Sequence, residues 1–186
     1  IHQFAFAYCT GFDGILSFAS ATSLKAIHND AFLKCSSFSE LVFPQTSSMT
    51  IGDRAFKSCS GFKGSLILPN SISEIGKSAF ENCEGFEKLT TSSKLKIVKE
   101  RTFYGCSGFK GEFDFSSYSE LCNDAFSGCK GFTGKLVLPR ITYHKGVFSD
   151  CIGFNSIDVI SNKIITINPY MFKGCIGINK AIRLVP

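Results

Sequence analysis

Apolar positions along the chain fall into short, repeated blocks. Eight cysteines (Cys9, Cys35, Cys59, Cys83, Cys106, Cys129, Cys151 and Cys175) follow one another at intervals of 22 to 26 residues. Three residues before each stands a phenylalanine: Phe6, Phe32, Phe56, Phe80, Phe103, Phe126, Phe148 and Phe172. Three residues after each stands another: Phe12, Phe38, Phe62, Phe86, Phe109, Phe132 and Phe154, with Ile178 in the last block. Beyond the second aromatic, apolar and polar residues alternate over four or five positions, which predicts a half-buried strand. Its inward pairs are Leu16/Phe18, Leu41/Phe43, Leu66/Leu68, Leu89/Thr91, Phe113/Phe115, Leu136/Leu138, Ile157/Val159 and Ile182/Leu184. Pro44, Pro69, Pro139 and Pro186 close four of these segments, where the missing N–H ends pairing. Upstream of the first aromatic an apolar position recurs (Ile27, Ile51, Ile75, Val98, Leu121, Tyr143, Ile167).

A unit of this size with one short strand cannot bury its own apolar face, so the units must stack. The pattern predicts one domain over residues 1–186: a solenoid of about eight units with a parallel sheet on one face. Elsewhere it predicts mostly short strands and irregular or short helical turns. Gly14, Gly64, Gly111 and Gly134 each sit two residues past a second-column phenylalanine, in units one residue longer there. That points to a positive φ in a small bulge. Units two, four and seven lack the extra residue, and unit eight carries Lys180 in the glycine's place. Neither end shows a capping pattern, so a segment of a longer protein is expected.

The blocks "IGDRAFKSCSGFKGSLILP" (51–69) and "IGKSAFENCEGF" (75–86) resemble the BspA-like leucine-rich repeat family. The likeness runs over essentially the whole chain, with Phe largely replacing Leu after the cysteine. It implies a leucine-rich-repeat solenoid on a cell-surface or secreted protein of mucosal bacteria or protozoa. By the same resemblance, partners would be host extracellular-matrix or cell-surface proteins, or other microbial cells. No Asn ladder of the usual leucine-rich unit is present, and the repeated Cys is its nearest counterpart.

Composition adds little beyond this. Twenty Phe and nine Cys are largely absorbed by the columns, and a net charge of +5 is scattered without long runs. Nucleic acid is not expected as a partner, because the Phe columns are core and unavailable for base stacking. No apolar run approaches the ~20 residues that cross a bilayer, so direct membrane insertion of this segment is not expected. A catalytic cysteine needs one special environment, and eight equivalent cysteines offer none. They are expected to form a ladder of buried free thiols, since parallel side chains one coil apart hold Cβ atoms slightly too far for a disulfide. Metal ligation is not expected either, because the cysteine spacing lacks the clustered form of a zinc site. No cofactor motif occurs. Cys122 falls in a polar column with His28, Gly52, Gly76, Lys99, His144 and Asn168. It is either the one reactive thiol or a chance substitution.

Any site is expected on the open side of the sheet. Its outward columns include Glu40, Ser65, Lys88, Glu112 and Lys135, and Val42, Ile67, Thr90, Asp114 and Val137. These vary between units while the inward positions repeat. Val42, Ile67 and Val137, rimmed by charge, resemble a protein-contact surface; strand propensity alone also accounts for β-branched residues there. The expectation is a non-catalytic binding module. The alternative is a structural spacer, or an intracellular scaffold, for which free thiols and the lack of an N-x-[ST] acceptor speak.

Overall fold

A computed structural model describes residues 1–46, 48–160, 166–180 and 182–185. The chain winds as a parallel-sheet solenoid of about 7 turns, with no helix among the described residues. The main strands follow the second phenylalanine of each unit: β1 (Gly14–Ser17), β3 (Phe38–Val42), β5 (Gly64–Ile67), β7 (Phe86–Thr90), β10 (Gly134–Leu138), β12 (Phe154–Ile160) and β13 (Ile182–Val185). Shorter strands precede the first phenylalanine: β2 (Ala26–Ile27), β4 (Met49–Ile51), β6 (Ile72–Ile75), β8 (Ile97–Val98), β9 (Glu120–Leu121) and β11 (Thr142–Tyr143). All pairings are parallel, and the strands form two sheet faces rather than one. The main face consists of three panels, β1–β3, β5–β7 and β10–β12–β13; the second consists of β2–β4–β6 and β8–β9–β11.

The alternation at Phe113/Phe115 does not yield the strand it predicts. Only a bridge between Gly111 and Phe132 survives there. Other units carry at most one ring at the two inward positions, whereas here two rings must fit. Phe115 is buried, 5.0 Å from the Phe148 ring and 5.2 Å from Phe126, and Phe113 lies 4.9 Å from Phe115. Asp114 then closes a local turn, accepting from the Ser116 N–H at 2.8 Å and the Ser116 hydroxyl at 2.8 Å. Bulk inside and a side-chain-capped turn outside together compete with the ladder.

The two aromatic columns are the core. Rings of the first column stack coil on coil, from Phe6–Phe32 at 5.1 Å to Phe148–Phe172 at 6.2 Å. The second column meets the first edge-on, as at Phe56–Phe62 and Phe103–Phe109. Offset stacks and T-shaped contacts are the arrangements that ring quadrupoles favour. Ile167 and Ile182, inward by the sequence pattern, are 54% and 61% exposed; they belong to the last coils, packed from one side. Pro44, Pro69 and Pro139 follow β3, β5 and β10 within two residues. Pro186 lies outside the described residues.

In place of helical turns, the corner around each first phenylalanine is a run of tight turns. Two residues per corner adopt positive φ, for instance Asp30 (57°) and Lys34 (59°) around Phe32. Alternate N–H groups then point in opposite directions. Those of Ala31, Leu33 and Cys35 bond back within the coil, to His28, Asp30 and Phe32. Those of Asp30, Phe32 and Lys34 reach the next coil, donating to Asp53, Ala55 and Lys57 at 2.8–2.9 Å. A left-handed L-residue costs roughly 1–2 kcal/mol, and a fully paired buried corner offsets that cost. Three of the four predicted bulges occur, while Gly111, at φ of 79°, makes only the isolated bridge to Phe132. Register slips just past Gly14, Gly64 and Gly134, at φ of 74°, 67° and 76°.

Candidate interaction face

Positions two apart on a strand share a face, so the buried Leu41, Leu66, Leu89 and Leu136 send their neighbours outward. Pairing aligns the outward residues in rungs: Ile15 with Glu40, Ser17 with Val42, Ser65 with Lys88, Ile67 with Thr90, Lys135 with Ser156 and Val137 with Asp158. Glu40, Ser65, Ile67, Lys88, Thr90, Glu112, Asp114 and Lys135 are exposed or half-exposed, and Val42 and Val137 are half-buried. The columns do not run unbroken along the rod. Glu112 and Asp114 sit on the segment that leaves the ladder, which separates Val137 from Val42 and Ile67. Asp158 is largely covered and pairs with Lys135 at 2.9 Å.

The break between β3 and β5 opens a cleft of about 600 Å³. One backbone bond remains near it, from the Lys63 N–H to the Ser39 carbonyl at 2.9 Å. Val42 and Ile67 line its apolar part, Glu40 and Lys63 supply opposite charges, and Ser65 and Gln45 add hydrogen-bonding groups. Ile67 is 57% exposed and presents an apolar surface at the edge of this opening. The arrangement offers a few apolar contacts, both signs of charge and backbone groups of two strands that no ladder consumes. Those are the elements of recognition of an extended polypeptide. They include no nucleophile–base pair.

The eight column cysteines serve packing. From Cys35 onward each thiol donates to the carbonyl of the preceding coil's first phenylalanine: Cys35 to Phe6 at 2.9 Å, Cys59 to Phe32 at 3.0 Å, and so on to Cys175 and Phe148 at 2.9 Å. The same carbonyl already accepts the N–H of its own coil's cysteine, as Phe6 does from Cys9. Cysteine is therefore the small apolar residue that also supplies a weak donor. Burial pushes the thiols of Cys59, Cys83, Cys106, Cys129 and Cys151 far above their ordinary range, and that of Cys175 up to about 11. All nine cysteines are free. Titration of the native protein with a disulfide reagent is expected to find only one or two reactive thiols, and about nine after denaturation without reductant. A denatured count below nine would mean that disulfides replace the ladder.

Cys122 does not have the environment of a reactive thiol. Burial, then the Glu120 carboxylate at 3.7 Å, raises its pKa, with only a lesser opposing pull from Lys77. Against the expectation from cysteine spacing, Glu120, Cys122 and His144 bring three metal-ligand types together. Their ligand atoms lie within 4.8 Å of one another. Spacing between cysteines cannot reveal such a mixed group, but the repeat register can, since Cys122 and His144 stand at one position of consecutive units. The buried corner carboxylate Glu81 is structural. Burial raises its pKa, but Arg101, Ser78 and Lys57 more than reverse this and hold it at about 2.

Fold and face together define a parallel-stranded repeat scaffold of the leucine-rich type, with a buried aromatic spine and a variable open sheet. The chain belongs to the BspA type leucine rich repeat region family, whose model matches residues 1–133 and 141–182 in 6 copies. A crystal structure of a leucine-rich repeat protein from Bacteroides ovatus superposes with a TM-score of 0.68 at 23% identity, covering 99% of this chain and 58% of that one. A leucine rich cell surface protein from Faecalibacterium prausnitzii superposes with a TM-score of 0.42 at 15% identity, covering 98% and 62%. The chain thus spans less than two thirds of either. No curated protein matches. Among the described residues no helix is long and apolar enough to cross a membrane.

Proposed function

We propose that the chain is a non-catalytic binding module of a cell-surface or secreted protein, engaging a protein partner through the open main sheet. The observation that carries this reading is the β3–β5 cleft. It gathers Glu40, Val42, Ser65 and Ile67, four outward residues that vary between units, around an opening that the repeat itself does not require. Family membership supports a protein-interaction role. Host extracellular-matrix proteins, host surface proteins and other microbial cells are the partner classes in view.

The test is binding of the chain to a panel of immobilised extracellular-matrix proteins and to whole cells, with a Val42→Asp/Ile67→Asp variant alongside. These side chains are outside the core, so the variant is expected to unfold at the same temperature within a few degrees. Its binding is expected to fall at least tenfold, the loss of about 1.4 kcal/mol. Equal binding by variant and parent would assign contact to another surface. Absence of binding across the panel would favour the spacer role.

A further inference from the structure

The second sheet face carries a feature that neither packing nor the main face explains. Strands β9 and β11 pair with Glu120 opposite Thr142 and Leu121 opposite Tyr143. Leu121 and Tyr143 point inward and are buried. The residues on either side of Leu121, Glu120 and Cys122, therefore project from the same outer face. The register continues one step further: the His144 N–H donates to the Leu121 carbonyl at 2.9 Å, and the Cys122 N–H to Val98 at 2.9 Å. Cys122 and His144 are thus rung neighbours, set side by side by the backbone. The side chains converge. His144 Nε2 is 2.7 Å from Glu120 Oε1, and Cys122 Sγ is 3.7 Å from the same oxygen.

We propose that Glu120, Cys122 and His144 bind a divalent transition-metal ion of the zinc class. One thiolate, one imidazole and one carboxylate are the donor types such ions take, and three protein ligands leave a fourth position for solvent. With ligand bonds of about 2.0–2.3 Å, a tetrahedral ion needs donor atoms roughly 3.3–3.7 Å apart. The sulfur–oxygen separation is at the upper end of that range, and the nitrogen–oxygen one has to lengthen by at least about 0.6 Å on the same scale. Binding forms the metal–sulfur bond as the Cys122 S–H bond breaks and its proton leaves to solvent. His144 donates the Nε2 lone pair with its ring proton on Nδ1, and Glu120 gives one oxygen. All three side chains are only half-buried, so solvent can fill the fourth position, and His144 also borders an open cleft of about 630 Å³ with Arg140, Thr142 and Asn168. Lys99, the lysine of the column, is paired with Glu74, and Lys77, the cation that acts on Cys122, is paired with Glu100 at 3.2 Å. No other group of three such residues occurs among the described residues.

Cobalt(II) is the probe, because a thiolate ligand gives it a charge-transfer band in the near ultraviolet. Titration of the reduced chain is expected to produce that band with a one-to-one endpoint, and zinc is expected to displace it. The column thiols are buried except Cys9, which is half-buried in the first coil, so the Cys122→Ser variant assigns the band. It should vanish in Cys122→Ser, and His144→Ala should weaken binding by at least ten- to a hundredfold, the loss seen even for outer-shell partners. Circular dichroism checks that both variants stay folded, as outward positions allow. Absence of the band at equimolar cobalt in the parent chain overturns the proposal. So does a band that persists in Cys122→Ser.

Discussion

Gly85→Ala is expected to destabilise the chain by about 3 kcal/mol, the upper range for forcing atoms into a packed site. The position belongs to a glycine column that directly precedes the second aromatic position: Gly11 in the first coil, where nothing lies beneath, then Gly61, Gly85, Gly108, Gly131, Gly153 and, before Ile178, Gly177. A Cβ on Gly85 would lie 2.1 Å from the Phe62 carbonyl oxygen and 3.0 Å from that of Ser60, both backbone atoms of the coil beneath. No side-chain rotation relieves such contacts, so the coils would have to separate and loosen the ladder on both faces. Gly64→Ala is the control. Gly64 sits at φ +67, and a Cβ there would meet nothing within 4 Å, so only the left-handed backbone is penalised, by about 1 kcal/mol. Urea unfolding of the two variants distinguishes steric from conformational need. Equal losses would mean that the coils do not approach as closely as the column indicates. Unit two shows the limit of the rule, since Ser37 stands in this column and donates its hydroxyl to Thr10 at 2.6 Å.

That column is visible in the sequence as the glycine of "CSGF", "CEGF", "CKGF" and "CIGF", yet nothing in its spacing states how near the adjacent backbone comes. The Phe and Cys columns are legible because eight equivalent sites impose one packing demand and answer it with one residue. The left-handed corners are not. Arg54, Lys34, Tyr170 and Phe4 hold positive φ there, and residues so bulky carry no local signal of it. The second sheet escapes a reading of periodicity because several of its strands are two residues long, too short for a period to show. The outward columns do lie on the open side, but their division into panels does not follow from alternation. The bulge glycines hold the clue. Each step from a lengthened unit to a short one pairs (β1–β3, β5–β7, β10–β12), while the reverse steps from β3 and from β7 do not continue the ladder. The step from β12 to β13 does continue it, so unit length biases the panels without alone deciding them. The cleft that centres the proposed site is one of these unpaired steps.

The aromatic spine should make the effect of a lost ring depend on where along the rod it is removed. Phe103→Ala is expected to cost about 3–5 kcal/mol, combining lost transfer energy with the cavity left behind. Phe103 is fully buried, with its ring 5.8 Å from Phe80, 5.2 Å from Phe126 and 6.1 Å from Phe109. Neighbouring coils are fixed by their own backbone ladders and cannot collapse into the gap. The same change at Phe172 is expected to cost roughly half as much or less, because that ring is half-buried and stacks on Phe148 from one side. In a stack held by nearest-neighbour contacts, a central defect also weakens coupling between the two halves. Phe103→Ala is therefore expected to broaden the urea transition and lower its slope, whereas Phe172→Ala should shift the midpoint at nearly constant slope. Equal shifts with equal slopes would indicate that the rod unfolds as one unit. Stability would then reside in the total ring contact and not in the coil-to-coil sequence of stacks.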